Sequence, residues 1–376
     1  MLVDNNFVRL AKPYIDDDEL NEVKSVLDSG YLTQGPKVEK FEHLVAEFIG
    51  TKYAYATTSA TTALHLSLVV LGIGRDDEVL VPDFTFPATA NVVVQQQAKP
   101  VLVDIDIDTF NINTEDLESK VTSKTKAIIP VHAFGLSADM NSILVIAKKH
   151  GLFVIEDAAC AIGATYHDKP CGSFGEMGCF SFHPRKAITT GEGGMITTNS
   201  DVFAERIRLL RNHGGVQSEG RFTFEAAGYN YRMSDIQAAV GIAQMRKLDA
   251  IIKRKRELAA EYYERLRGFE EVEVPFEPSW GGHIFQSFVV LTDDQIDRDA
   301  VIRNMKELGI ETTLGTYALH CQPFFRKTYD YVLDELPNSY RAFKQSLTLP
   351  LYYEMNVRDI DRVVEGLINS IDKIGK

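Results

Sequence analysis

The sequence predicts an α/β protein with two parts: a large domain whose mainly parallel mixed sheet lies between helices, and a smaller C-terminal α/β domain. Between residues 53 and 198, short apolar runs of strand-forming residues alternate with stretches of helical periodicity. Polar or aromatic side chains stand at the carboxyl ends of several of these runs. Strands that alternate with helices imply parallel pairing with right-handed crossovers, and such sheets bind ligands at the carboxyl ends of their strands.

The length and net charge of the chain indicate a large globular protein that does not bind nucleic acid. The chain has 376 residues, 45% of them hydrophobic, which is enough for a large buried core and two domains. It carries 53 acidic against 40 basic residues, a formal net charge of −13. Such a charge repels polyanions, so nucleic acid is not an expected partner.

The cysteines and the N-terminus indicate a cytoplasmic protein without a metal site. The four cysteines lack the spacing of metal ligands, and a chain of this size needs no disulfides, so reduced thiols are expected. Residues 1–7 have neither the basic flank nor the apolar run of a signal peptide. No stretch approaches the roughly 18 apolar residues of a membrane span. We therefore expect no metal and no membrane association.

The N-terminal part begins with two helices and a hydroxyl-rich turn. Residues 16–27 and 37–49 have helical periodicity, and a loop with two glycines and a proline, residues 30–36, joins them. A short strand at Tyr53 then leads through residues 59–61 into an apolar helix. Unpaired N–H groups at a helix start, with hydroxyls beside them, can bind a phosphate, although ordinary Ser/Thr capping explains the same residues.

Further strands precede residue 160, with a helix between the last two of them. The strands are expected at residues 78–82, 101–105, 127–131 and 154–157, and the helix at 140–150. Phe86, His132 and Asp157 follow or end three of these strands. Because the carboxyl ends of parallel strands share one edge, these three residues are predicted to face one ligand site, although an aromatic such as Phe86 can also simply fill core.

Lys186 is predicted to lie at a tight corner between two strands. Residues 179–182 and 195–198 are strand-forming, and a polar, Gly-rich turn joins them. A partly buried lysine amine can act as a Schiff-base nucleophile, although a lysine beside glycines is also typical of a solvated loop. Pyridoxal phosphate requires such a lysine together with an acid against its ring nitrogen, and Asp157 is a candidate for the acid.

The C-terminal part begins within a long helix. Residues 202–212 are expected to be helical and residues 225–232 to form a loop, before a helix that runs from about Ser234 to about Leu266. A helix of this length usually bridges two domains, so the boundary is placed near residue 250, giving domains 1–250 and 251–376. A strand at 285–291 and helices at 299–308 and 357–374 complete the smaller domain.

An ordered set of motifs resembles one family of enzymes. The motifs include Ser59-Ala-Thr-Thr-Ala-Leu64, Phe84-Thr-Phe-Pro-Ala-Thr89, Glu156-Asp-Ala-Ala159, Ser181-Phe-His-Pro-Arg-Lys186, Thr189-Thr-Gly-Glu-Gly-Gly194 and Gly228-Tyr-Asn-Tyr-Arg232. In this order they resemble the DegT/DnrJ/EryC1/StrS sugar aminotransferases, a branch of the fold-type I pyridoxal phosphate enzymes. The resemblance runs from about residue 10 to 240 and is weaker beyond.

The resemblance implies a role for each matched residue. Lys186 and Asp157 would be catalytic, and the expected cofactor contacts, besides these two, are Ala60, Thr61, Phe86, Cys160, Ser181 and Asn230. Contacts to the substrate are expected from Tyr31, Glu192, Arg232 and His320. A buried strand serine and a structural histidine remain alternatives for Ser181 and His320.

Two positions depart from the family pattern. The family usually has Gly where Ala60 stands and often has Gln, bonded to the ring hydroxyl of the cofactor, where Cys160 stands. The thiol is a weaker donor than an amide, so either another group binds the hydroxyl or the ring is tuned differently in this branch.

The implied activity is amino transfer to a nucleotide-linked keto sugar, with L-glutamate as the expected donor. Asn230 would reach across a homodimer interface, so each active site would need two subunits. Two alternatives stay open: a sugar dehydratase or lyase, a branch that has His in place of the lysine, and a regulatory protein without enzymatic activity.

Overall fold

A seven-stranded sheet forms the centre of the molecule. The computed structural model describes residues 7–218 and 220–374, so most of the N-terminal segment assessed for a signal peptide lies outside the described residues. The strands of the sheet, in chain order, are β1 Tyr53–Thr57, β2 Glu78–Pro82, β3 Lys99–Val103, β4 Thr125–Ile128, β5 Phe153–Asp157, β6 Met177–Ser181 and β7 Gly194–Thr198.

The spatial order of these strands is β1-β7-β6-β5-β4-β2-β3. The pairs from β6 to β3 are parallel, whereas β7 is antiparallel to both of its neighbours. The predicted mixed, mainly parallel sheet is therefore confirmed. Because β5 and β6 are parallel neighbours, with Asp157 opposite Cys179, their carboxyl ends lie side by side.

Helices separate most of the strands. They are α1 Asp17–Ser29, α2 Pro36–Ile49, α3 Ala60–Leu71, α4 Ala88–Gln95, α5 Thr114–Ser119, α6 Met140–His150, α7 Asp201–Leu210, α8 Asp235–Leu266, α9 Arg298–Glu307, α10 Pro323–Tyr329, α11 Pro337–Gln345 and α12 Val357–Ile374. Short 3₁₀ turns lie at Ala133–Gly135, Leu319–Cys321 and Leu333–Glu335. Helix α3 is buried along most of its length beneath the sheet, so it is apolar on nearly every side.

The start of α8 holds the loop that precedes α2. Gly35, the N-cap of α2, has no side chain with which to cap it. The Asp235 carboxylate instead accepts hydrogen bonds from the N–H groups of Gly35 at 2.8 Å and Val38 at 3.0 Å. A Cβ at Gly35 would come within 2.9 Å of that carboxylate, so glycine allows the close approach.

Two strands begin two residues earlier than the sequence predicts. Strand β3 starts at Lys99 and includes Pro100. The start was predicted after this proline, because proline lacks an N–H and usually weakens a strand. The strand lies at the edge of the sheet, where that loss is tolerated. Strand β4 covers Thr125–Ile128 rather than residues 127–131, and Val131 contributes only an isolated bridge to Asp157.

The C-terminal part contains a second sheet of four strands. These are β8 Val272–Glu273, β9 Phe288–Thr292, β10 Thr313–Leu314 and β11 Ser346–Leu349, in the order β8-β9-β11-β10. Only β9 was predicted, and it starts at Phe288 because Phe285 has a left-handed φ of 48° that interrupts the extended chain. Strands β8 and β10, of two residues each, are too short to show a period of two, whereas the missed strand β11 has the alternating pattern Ser-Leu-Thr-Leu.

Short strand pairs tie distant segments together. Phe84–Thr85 pairs with Tyr317–Ala318, and the small ribbon of Thr165–Tyr166 and Lys169–Pro170 is joined by Gly281–Gly282. A hairpin of Gly215–Ser218 and Arg221–Phe224 occupies a stretch in which no strand was predicted.

The proposed domain boundary near residue 250 falls inside α8 and stays a prediction. The apolar residues of α8 beyond Leu258 pack with β9, β11 and α12, and Val8 joins the same cluster through a bridge to Ile310. None of the helices formed by residues 7–218 and 220–374 combines the length and apolar character needed to cross a membrane.

Candidate active site

Asp157 ends strand β5 as a buried carboxylate. It is 5% exposed, and the Thr89 hydroxyl donates to its Oδ2 at 2.8 Å while the Ala159 N–H donates to Oδ1 at 3.2 Å. Burial raises the pKa of Asp157, and these two hydrogen bonds and the charge of Lys186 oppose that rise. Among residues 7–218 and 220–374 no basic side chain forms a salt bridge with this buried carboxylate, so it suits a partner that brings its own positive charge.

Lys186 lies in the turn between β6 and β7, as predicted. Its N–H donates to the His183 carbonyl at 2.8 Å, and its half-buried side chain extends back to the segment that follows β5. There Nζ lies 3.0 Å from Sγ of Cys160. The turn thus places the lysine amine against Cys160, which follows Asp157 by three residues.

A buried network behind Asp157 fixes the end of β5. The Glu156 carboxylate is fully buried and accepts the N–H groups of Gly172 at 2.7 Å, Phe174 at 2.7 Å and Gly175 at 2.9 Å. His132 Nε2 lies 3.0 Å from the same carboxylate, and its Nδ1 accepts the Ala138 N–H at 3.1 Å. His132 therefore supports the site from inside the protein instead of facing a ligand.

The start of α3 leaves backbone donors free beside β7. Ser59 and Thr62 form a reciprocal capping box, as the alternative of ordinary capping anticipated. That box satisfies the N–H of Thr62, and the N–H groups of Ala60 and Thr61 precede the first intrahelical bond. A Cβ at Gly194 would lie 2.6 Å from the Ala60 nitrogen, so this glycine lets β7 approach the helix start closely.

Ser181 and Phe86 also lie at the carboxyl edge of the sheet. Ser181 ends β6 and pairs with Gly194, and its buried hydroxyl has only a long contact, 3.4 Å, from the His183 N–H. Phe86 follows the Phe84–Thr85 pair and is 66% exposed as a residue, so it does not fill core.

The residues expected to contact substrate are dispersed in this chain. Tyr31 is 72% exposed in the loop before α2, and Glu192 is exposed in the Gly-rich turn, 4.0 Å from Nε2 of His183. Arg232 bridges to Thr57 and donates to Oδ1 of Asn212 at 2.6 Å. Asn230, which is expected to contact the cofactor rather than the substrate, is exposed and bridges to Asn212 through its backbone.

His320 is completely buried. Its Nδ1 lies 2.6 Å from Oδ2 of Asp83, directly after β2, and its Nε2 faces the Leu333 carbonyl at 3.2 Å. Burial lowers the pKa of His320, but the Asp83 carboxylate outweighs it and raises the pKa to about 10. With both ring nitrogens occupied, the placement favours the structural alternative.

Comparison with known proteins decides the family. The model of the DegT/DnrJ/EryC1/StrS aminotransferase family matches residues 13–368. The chain belongs to this family. The match extends the resemblance seen in the sequence to nearly the whole chain.

Two relatives align with nearly the whole of this chain. The chain is 40% identical over 364 residues to GDP-perosamine synthase of Caulobacter vibrioides, covering 96% of this chain and 97% of the relative. It is 39% identical over 376 residues to the spore coat polysaccharide biosynthesis protein SpsC of Bacillus subtilis, covering 96% and 97%.

A solved structure shares the whole fold. The putative sugar aminotransferase Spr1654 of Streptococcus pneumoniae superposes with a TM-score of 0.94 in its PMP-form and 0.93 in its PLP-form. The identities are 26% and 27%, and the matches cover 98% of this chain and 98% and 99% of that protein. The expected fold type I architecture is thereby confirmed.

The residues of this site fit pyridoxal phosphate. The buried Asp157 carboxylate ends β5, and the Lys186 amine contacts Cys160 just beyond it. The N–H groups at the start of α3 lie beside Gly194, which pairs with the end of β6, and the exposed Phe86 stands three residues before Thr89, which binds Asp157. Residues 7–218 and 220–374 contain no group of three or more His, Cys, Asp or Glu side chains that could hold a metal ion. All four cysteines are free thiols.

Sequence reasoning missed two polar residues near the site. Thr89 stands at the end of a motif from which only Phe86 was assigned, and its bond to Asp157 depends on a tertiary contact that no spacing reveals. Lys255 stands on the apolar stripe of α8 between Ile251 and Leu258, and a lysine in that stripe was a readable signal of a buried amine.

Proposed function

We propose that this protein is a pyridoxal phosphate-dependent aminotransferase that moves an amino group onto a nucleotide-linked keto sugar. The observation that carries the proposal is the position of Lys186, in the turn after β6, where its amine contacts Cys160 and its charge acts on the Asp157 carboxylate at the end of the neighbouring strand β5. When bound, pyridoxal phosphate supplies an aldehyde and an electron sink that stabilises a carbanion at the substrate carbon.

The fixed residues hold and polarise the cofactor. Asp157, buried and held by Thr89, would pair with the ring nitrogen and keep it protonated, because the added positive charge favours the ionised carboxylate. The Ala60 and Thr61 N–H groups and the Ser181 hydroxyl would bind the phosphate at the positive end of α3. Phe86 would cover one face of the ring.

Lys186 would perform two tasks. Its amine would hold the cofactor through the aldehyde and, when a substrate is bound, would take up and return a proton at the substrate carbon. The half-buried position and the neighbouring thiol keep the amine directed at the strand ends rather than into solvent. A histidine at this position could not form the Schiff base, so Lys186 favours a transaminase over a lyase.

The names of the relatives support the substrate class. GDP-perosamine synthase and a polysaccharide biosynthesis protein are among them. Tyr31, Glu192 and Arg232 are the residues through which we expect the sugar nucleotide to bind, and His320 is assigned a supporting role because it is buried. L-glutamate is the proposed amino donor.

We further propose a cytoplasmic homodimer with shared active sites. Asn230 is exposed, and the nearby hairpin presents Phe222 and Phe224 at 46% and 69% exposure. Exposed aromatic side chains beside a site residue are typical of a protein interface. In this arrangement Asn230 would contact the cofactor phosphate held by the partner subunit.

Spectroscopy of the purified protein tests the proposed reaction. Adding L-glutamate should bleach the visible band of the cofactor and release one 2-oxoglutarate for each cofactor, and adding a nucleotide-linked keto sugar should restore the band. A lyase would leave 2-oxoglutarate unformed, and a regulatory protein would lack the band.

A further inference from the structure

Lys255 is a buried cation without a carboxylate partner. It lies in the middle of α8 with 5% of its surface exposed, and its Nζ donates to the Gln286 carbonyl at 2.8 Å. None of the ion pairs formed by residues 7–218 and 220–374 includes it. An ammonium group has three donors, and burying it without a counter-charge is unfavourable. We therefore expect an anionic ligand to bind the Lys255 ammonium and supply the missing counter-charge.

Lys255 and Lys186 line the same cleft. The other polar side chains of its lining are Lys12, Tyr14, Arg185, Tyr352 and Tyr353, and no acidic residue is among them. Lys12 forms an ion pair with Glu354 at the surface, so its charge is compensated. The cleft thus carries an excess of positive charge next to the proposed Schiff-base lysine.

Gln286 fixes the two lysines relative to each other. Its carbonyl accepts Lys255, while its side-chain Nε2 donates to the Arg185 carbonyl at 2.6 Å, one residue before Lys186. The Gln286 Oε1 is buried without a hydrogen-bond partner among the described residues, so the local polar arrangement is incomplete. A ligand with donor and acceptor atoms would complete it.

We propose that the Lys255 ammonium binds the carboxylate of the amino-acid donor while Lys186 exchanges with the donor's amine. The inference rests on the proposed aminotransferase function. An α-amino acid carries its amine and carboxylate on one carbon, so its site requires a cation close to the reactive lysine. The sugar acceptor has no such carboxylate and would not need Lys255.

The pH dependence of donor binding follows from the surroundings of Lys255. The pKa of Lys255 is lowered to about 8, chiefly by burial; Cys160 opposes this lowering and the charge of Lys186 adds to it. Other titratable groups that face it are the cleft residues named above and His283, whose pKa burial lowers to about 3. Because a carboxylate binds the ammonium form, affinity should fall as pH rises above about 8.

Calorimetric titration of the cofactor-loaded protein with glutarate, an unreactive dicarboxylate, tests the inference. In Lys255→Met the Kd for glutarate should rise about 10- to 100-fold, the usual effect of losing a charged hydrogen bond, whereas Lys255→Arg should retain most of the affinity. Lys253→Met removes an exposed lysine of the same helix and should leave the Kd unchanged.

Two results would overturn the inference: equal glutarate affinity in wild type and Lys255→Met, or no glutarate binding by the wild type. If Lys255→Met fails to fold, a wild-type affinity that stays constant from pH 7 to pH 9 would overturn it equally. Failure of the aminotransferase function is distinct, because it would appear as a wild-type protein that no amino donor bleaches.

Discussion

Nζ of Lys186 lies 3.0 Å from Sγ of Cys160, so the turn after β6 contacts the segment after β5 through these two side chains. Cys160 stands only three residues after Asp157, and the contact therefore joins the proposed nucleophile to the strand that carries the proposed acid. Cys160 stands where Gln is expected from the family pattern, and its thiol is the side chain that contacts the Lys186 amine.

Replacing Cys160 should alter the site without unfolding the protein. Cys160→Ala removes the side-chain partner of Lys186, so we expect a shifted visible band of the bound cofactor and a kcat lower by about fivefold, the value of one hydrogen bond of about 1 kcal/mol. Cys321→Ala, at a half-buried thiol beside the buried His320 rather than beside Lys186, is the matched control. Identical spectra for wild type and Cys160→Ala would show that the contact has no bearing on the cofactor.

Thr89 should stabilise the ionised form of Asp157. Burial already raises the pKa of Asp157, and Thr89→Val removes a hydrogen bond that opposes the rise, so the cofactor-free variant should lose about 1–3 kcal/mol of unfolding free energy at pH 7. A raised carboxyl pKa destabilises the folded state as pH rises from its ordinary 3.8 through the folded value, so the difference should shrink at lower pH. Urea unfolding at pH 5 and pH 7 measures it.

Thr89→Ser provides the control for this prediction, because it retains the hydroxyl. It should unfold with a free energy close to that of the wild type at both pH values. A loss in Thr89→Ser as large as that in Thr89→Val would mean that packing of the methyl group, rather than the hydrogen bond, is responsible.

The Asp83–His320 pair should stabilise the protein in a pH-dependent way. Asp83→Asn leaves a buried histidine without its counter-charge, so we expect a loss of about 3 kcal/mol of unfolding free energy near pH 6.5. Because Asp83 raises the pKa of His320 to about 10, this contribution is complete below the ordinary value of 6.5 and is lost as pH rises through about 10. The exposed Asp294→Asn is the control, and a loss independent of pH between 6.5 and 10 would contradict the ionic account.

Mixed dimers should reveal shared active sites. Lys186→Ala removes the amine, and Asn230→Asp places a negative charge where the partner's phosphate is proposed to bind, so each variant alone should be nearly inactive. If the sites are shared across a two-fold interface, remixing equal amounts after dissociation should restore about a quarter of wild-type activity, since half of the dimers then hold one intact site. No recovery, with mixed dimers demonstrated by mass spectrometry, would place Asn230 and Lys186 of one chain in the same site.

Secondary structure could be predicted from the sequence where the hydrophobic periodicity and the capping residues of a segment match the element that it forms in the fold. The apolar strands around Asp157 and Lys186 and the capped helix α8 were located because their periodicity, turns and caps give the same answer. The hairpin of residues 215–224 was not predicted, because its exposed strand Arg221–Phe224 lacks a buried face that would impose alternation.

Tertiary contacts account for what sequence reasoning could not supply at the site. The bond between Thr89 and Asp157 joins residues 68 apart in the chain, and the burial of His320 depends on Asp83, 237 residues away. Lys255 is different, since a lysine on an apolar helical stripe could have been recognised as buried.

The most direct test of the account locates the cofactor on the chain. Borohydride reduction of the cofactor-loaded protein, followed by peptide mass mapping, should place the pyridoxyl label on Lys186, and Lys186→Ala should lose both the label and the visible band while the exposed Lys126→Ala keeps them. A label on another lysine, such as the buried amine of Lys255, or a band that survives in Lys186→Ala, would contradict the assignment of Lys186 as the Schiff-base residue.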